Sequence, residues 1–300
     1  MLNIVRALTE VASRVIRKSA SFHGLIAAAL FAAGAVAVVV PSRLDAAERD
    51  AKRPFTPTAD HTVKQVAGWK VYVNNRLLKQ EPDLSKRALR LLEIKLEDIL
   101  SVVPAGPVGE LRKVPIWLGL DDGSAPCAEY HPNRNWLAEH GYNPDKAKCL
   151  EIGNARNFIA WSVQQPAMIL HELAHAYHDQ VLGFDDPSIR EAYAVAKKSG
   201  SYEHVLRAGG KTERHYALTD HKEYFAEATE AYFRTNDFYP FVRAELHLHD
   251  PKIEAILTDV WMKTPARGER SARRATATKP AATSPAKAAL KSDPPHADDR

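Results

Sequence analysis

Cysteine is almost absent. Two thiols, Cys127 and Cys149, in 300 residues rule out a small fold held together by disulfides instead of a hydrophobic core. Glycine (14) and proline (19) are too few for collagen, and a chain that is 45% hydrophobic and 26% charged is neither a coiled coil nor wholly disordered. A concentrated positive charge is missing too. The formal net charge is only +4, and the ends carry it: residues 267–300 contribute +4 and residues 1–23 contribute +3, which leaves about −3 between them. A nucleic-acid-binding domain gathers its basic residues on the folded part; this chain does the reverse, so no nucleic-acid partner is expected. Between residues 52 and 263 there is no internal repeat and no linker, so that stretch is expected to form one domain.

The two ends differ from this middle. A basic stretch to Lys18, an apolar run from Gly24 to Val40, then Pro41 and the small-residue stretch Asp45-Ala46-Ala47 read as an export element over residues 1–47. The run has about seventeen residues, so both a removed signal and an uncleaved membrane anchor fit it. The domain would then lie outside the cytoplasm, secreted, periplasmic or anchored, where Cys127 and Cys149 could pair or remain two separate buried thiols. No prosegment is evident between Ala47 and Val63. Residues 264–300 are Ala, Pro, Ser, Thr, Lys and Arg with almost no large apolar side chain. They are expected to be a disordered tail.

Within the domain, Trp69–Leu77 alternates apolar and polar residues and predicts a strand. Asp83–Val103 repeats Leu84, Ala88, Leu91, Leu92, Leu96, Ile99 and Leu100 at helical spacing, with Asp83 as cap and Pro104 as stop. Val114–Leu120 reads as a buried strand and Cys149–Ile152 as another. The order of strand, helix, strand, strand and then helices predicts an α+β fold with a small mixed sheet. Cys149–Asn154 is the expected edge strand for an extended substrate.

The sharpest chemical signal is His171-Glu172-Leu173-Ala174-His175. Its helical setting can be argued separately: Pro166 suits a first turn, Ala167 to Leu182 contains no breaker, and Gly183 suits the position after a helix. Residues i and i+4 share a helix face, so His171 and His175 can hold one Zn²⁺. Glu172, one residue round, is placed to act as a base without being a ligand. With 13 His and 19 Glu in the chain, chance would yield the bare pattern in about 3–4% of such sequences, so a third ligand has to decide. The metzincin extension would need Gly at position 178 and His at position 181; the chain has His178 and Val181. The remaining offer is a carboxylate from a later helix, Glu223-Tyr224-Phe225-Ala226-Glu227-Ala228, where Glu223 and Glu227 share a face. One would bind metal and the other would hold a ligand histidine from behind. His178 and Asp179 read as site periphery, and His215, His221, His247 and His249 as surface or helix-end residues.

Tyr216, seven residues before Glu223, followed by Glu-Tyr-Phe-Ala-Glu-Ala, resembles the zinc-site signature of gluzincin peptidases related to anthrax lethal factor and the Mlc titration factor peptidases. Tyr232-Phe233 to Tyr239-Pro240 also looks like the segment after the ligand helix in that family. The resemblance covers mainly residues 166–240 and implies a zincin-like domain with His171, His175 and Glu223 on one zinc ion, Glu172 as general base and Tyr216 as electrophilic helper. Glu227 is expected behind a ligand. Together with the export element, which departs from that family's pattern, the expected function is that of an exported zinc-dependent metallopeptidase, an endopeptidase rather than an exopeptidase. It would act as a monomer on peptide or protein substrates and touch membrane only through the N-terminal run. Two alternatives stay open on the residues alone: a zinc amidohydrolase acting on a non-peptide exported polymer, and a non-catalytic binding module on the same scaffold.

Overall fold

The computed structural model describes residues 55–122 and 126–263; the expected export element and tail lie outside them. The chain enters through strand β1 (His61–Val66) and turns back antiparallel into β2 (Trp69–Asn74). In β2 the side chains of Trp69, Val71 and Val73 are fully buried, as the alternation predicts. The strand ends earlier than expected: Asn74 caps Arg76 N–H (2.7 Å) and starts helix α1 (Asn75–Gln80), because an Asn side chain at a helix start satisfies an otherwise orphaned donor. Helix α2 (Pro82–Val102) buries Leu84, Ala88, Leu92, Leu96 and Ile99. Asp83 is not its cap; Pro82 occupies the first turn, where its missing N–H costs nothing. Helix α3 (Ala105–Leu111) leads to β3 (Ile116–Leu118), and β4 (Ala128–Tyr130) is followed by helix α4 (Arg134–Glu139) and β5 (Leu150–Ile152).

The five strands form one mixed sheet in the order β1-β2-β3-β5-β4. Strands β2, β3 and β5 run parallel, and the outer strands β1 and β4 are antiparallel to their neighbours. The fold is therefore α+β with a small mixed sheet, and β1 and β4 are strands too short or too polar for the sequence pattern to reveal. β5 lies between β3 and β4, so residues 149–154 do not form the edge; β4 does. The same register separates the two cysteines. Cys149 stands opposite His131 and Cys127 opposite Gly153, four residues apart along the ladder, or roughly 13 Å at the strand rise. That is beyond disulfide reach, and both thiols are free and buried.

Helix α5 (Ala155–Trp161) packs against α2. Helix α6 (Met168–Tyr177) carries the His-Glu-Leu-Ala-His motif and runs on into a π-helical turn, His178–Leu182, that ends at Gly183 with φ 85°. Helix α7 (Pro187–Ser199), the hairpin β6 (Val205–Leu206) and β7 (Thr212–Glu213), and a 3₁₀ turn at Tyr216–Leu218 come before helix α8 (His221–Phe233). Helices α9 (Arg243–His249) and α10 (Pro251–Leu257) close the described chain, with a last π-helical turn at Thr258–Met262. Helix α6 lies between the sheet and α8, touching β4 and β5 on one side and α8 on the other. Among the described residues no helix is long and apolar enough to cross a membrane.

Candidate metal centre

Two helices meet face to face to build the site. On α6, a largely buried helix, His171 and His175 project toward α8 one turn apart. On α8, Asp220 caps the first turn by accepting from Lys222 N–H (2.8 Å) and Glu223 N–H (3.1 Å), and Glu223, Glu227 and Glu230 follow at i, i+4 and i+7. That spacing places all three carboxylates on the face toward α6. His171 Nε2 lies 3.1 Å from His175 Nε2 and 3.1 Å from Glu223 Oε2, and His175 Nε2 lies 3.3 Å from the same oxygen. A tetrahedral ion with bonds of about 2.0–2.1 Å holds its donors about 3.3 Å apart. The three atoms thus form one triangular face of such a site, and two imidazoles with one carboxylate is a donor set that suits zinc.

Charge in this cluster is shared between its histidines and carboxylates. Burial opposes charge on His171, yet its hydrogen bonds to Glu223 and Glu230 prevail and hold its pKa well above the usual value. Burial also opposes ionisation of Glu223, but His171 and His175 keep it well below the carboxylate range. The carboxylate behind His171 is not the expected one. His171 Nδ1 donates to Glu230 Oε1 at 2.7 Å, whereas Glu227 Oε1 stands off at 3.7 Å, outside hydrogen-bond range. One further turn of α8 is needed because His171 points its Nδ1 edge toward the helix's C-terminal half. Glu230 lies seven residues from Glu223, so its place on this face is readable in the sequence, although the i, i+4 pair by itself singles out Glu227. Glu227 is instead buried near Glu230 and His215, and burial followed by repulsion from Glu230 raises its pKa well above normal.

Glu172 points the other way, toward the sheet edge. Its Oε2 accepts the backbone N–H of Tyr130 in β4 at 2.8 Å. The Tyr130 hydroxyl donates to Asp179 Oδ2 (2.7 Å) and accepts from Gln180 Nε2 (3.1 Å), both in the π-helical turn, and Lys148 pairs with Asp179. Asp179 therefore ties the edge strand to the end of the motif helix. His178, expected at the periphery, is fully buried against Phe184, His221 and Phe225. Burial pushes its pKa down to about 3.

Tyr216 is half exposed and lines the same cleft of about 640 Å³ as His171, Glu172, His175 and Glu223. Burial, then the charge of Glu223, raises its phenol pKa, so it remains an O–H donor at neutral pH. His215, expected at the surface, is buried beside it: Nδ1 accepts from Ala217 N–H at 3.0 Å, and the ring stacks on Phe238 at 4.8 Å. It thereby holds the turn that presents Tyr216. His221 and His249 do sit at helix ends, and His247 is exposed.

No family model, curated protein sequence or solved structure matches this chain. The chemistry of the site therefore rests on its own geometry.

Proposed function

We propose that the protein is an exported zinc-dependent metallopeptidase with a zincin-like catalytic domain. The observation that carries this reading is the convergence of His171 Nε2, His175 Nε2 and Glu223 Oε2 within 3.3 Å of one another, on the wall of a cleft that also contains Glu172 and Tyr216. The donor set and spacing fit zinc, with Glu230 orienting His171 from behind. When bound, zinc supplies Lewis acidity to a substrate carbonyl and lowers the pKa of a water toward neutrality.

The remaining steps belong to the chain. Glu172, held by the Tyr130 N–H, takes a proton as water attacks the peptide carbonyl and returns it to the departing amine. Tyr216 donates its O–H to the carbonyl oxygen as negative charge develops there. The outer edge of β4 lines the cleft, where its backbone groups other than the Tyr130 N–H can pair with an extended peptide, and because Tyr130 N–H is bonded to Glu172, a peptide lying along that strand passes over Glu172.

Elemental analysis of the purified domain, together with cleavage of a mixed peptide library with and without chelator, tests the proposal. One zinc per chain and chelator-sensitive cleavage are expected. Glu172→Gln should keep the metal and lose about 10²–10⁴-fold in turnover, whereas His175→Ala should lose the metal. A zinc-free protein would overturn the reading, and zinc without peptide cleavage would point to a different acyl substrate.

A further inference from the structure

The connection between β4 and β5 is far longer than the pairing requires. Adjacent antiparallel strands are usually joined by about 2–5 residues; here residues 131–149 intervene. The segment is firmly built. Asn133 Oδ1 accepts from Asn135 N–H (2.9 Å) and Trp136 N–H (3.1 Å) to cap α4, and Asn143 caps the next turn through Asp145 N–H (3.0 Å). Beneath it, buried Glu151 is paired with both His131 and Lys146.

This well-ordered segment displays an apolar side chain in a costly way. Trp136 is 40% exposed, and its ring is stacked on His140 (4.2 Å, 20°) and on Tyr142 (5.9 Å, 14°). Trp136, Tyr142 and Pro132 line the same cleft as the candidate metal ligands. A tryptophan held by stacked neighbours loses little side-chain freedom on binding, which is what a recognition surface needs.

Strand polarity then says which part of a substrate meets it. Tyr130 N–H marks the position of Glu172 along β4. Pro132 lies two residues further on, about 7 Å at the strand rise, with Trp136 beyond it. A peptide that adds to β4 antiparallel, the stronger pairing, runs from Pro132 toward Ala128. Residues on the amino side of the scissile bond therefore lie over Trp136 and Tyr142.

We infer that Trp136 and Tyr142 form the subsite for a bulky apolar side chain, aromatic by preference, on the amino side of the bond that is cut. This deepens, and rests on, the peptidase reading above. The substrate class it names is an extended polypeptide with an aromatic or large aliphatic residue one to three positions before the cleavage point.

The test uses internally quenched peptides that differ only in carrying Phe, Leu, Ala or Asp at each of three positions on either side of the bond. Wild type, Trp136→Ala, Trp136→Phe and Tyr142→Ala are compared, with thermal melts to show that each variant is folded. The same Phe and Ala peptides are titrated calorimetrically into the Glu172→Gln protein and its Trp136→Ala double variant, which needs no turnover. Wild type should prefer Phe over Ala by about tenfold or more in kcat/KM at one amino-side position. The ratio should fall below about threefold in Trp136→Ala and recover in part in Trp136→Phe. Cleavage with no such preference, with the preference on the carboxyl side, or with a preference untouched by Trp136→Ala would overturn the subsite and leave the peptidase standing. Phe-selective, Trp136-dependent binding without cleavage would do the opposite, keeping the subsite and removing the peptidase. Absence of both would overturn both.

Discussion

The hydrogen bond from His171 Nδ1 to Glu230 makes a prediction about metal affinity that separates two neighbouring carboxylates. Glu230 lies at 2.7 Å from that nitrogen and Glu227 at 3.7 Å. Only the first is a hydrogen bond. A carboxylate behind a ligand imidazole fixes its tautomer and raises its basicity, and loss of such a partner weakens metal binding by about 10–100-fold, or roughly 1–3 kcal/mol. Glu230→Leu should therefore lose that much zinc affinity, Glu230→Gln should lose less because an amide oxygen can still accept, and Glu227→Gln should change affinity by less than about threefold. Competition titration against a chromophoric chelator at fixed pH measures all three directly. Equal losses at positions 227 and 230, or a larger loss at 227, would refute the assignment of Glu230 as the orienting group.

Two further predictions concern the scaffold. Lys146, Glu151 and His131 are each no more than 3% exposed, with Glu151 between the two bases. Glu151→Gln strands a buried ammonium and should cost about 3–5 kcal/mol, whereas Glu151→Leu combined with Lys146→Met should recover most of that; urea unfolding of the three proteins decides, and equal losses in single and double variants would contradict it. His178 has no hydrogen-bond partner for either ring nitrogen among the described residues, so His178→Leu should be at least as stable as wild type at pH 7. Burial sets its folded pKa to about 3, far below the unfolded value of about 6.5. Below pH 6.5 the unfolded chain therefore binds a proton that the folded one does not, and wild type should lose up to about 1.4 kcal/mol per pH unit relative to the variant down to about pH 3. A stability gap that stays constant between pH 7 and 5 would show that His178 is not held neutral.

Local pattern was sufficient wherever a single element carries the information. The spacing of His171, Glu172 and His175 on an unbroken helix, the i, i+4 relation of Glu223 and Glu227, and the apolar stripe of α2 are properties of one segment each, because helix geometry alone decides which side chains share a face. The α+β class followed from the same signals. What they could not supply is the pairing of segments distant in the chain. Strand β4 has three residues and little alternation, so only its register against β5 shows that it is the edge, and that register also keeps Cys127 and Cys149 apart. Nothing local to Tyr130 says that its N–H reaches Glu172, nothing local to His178 says that it is core, and His215 looks like a surface histidine until Phe238 and the Tyr216 turn close around it. Glu230 is intermediate. Its face on α8 could be counted from Glu223, but its choice over Glu227 depends on the angle at which α6 crosses α8 and on where that angle puts His171 Nδ1. The order of amino acids already specifies which groups are candidates for metal and proton chemistry, since these lie at fixed offsets on two helices. Packing between segments selects the carboxylate that bonds His171, the strand that faces the cleft and the histidines that are buried, since those depend on contacts that no local spacing encodes.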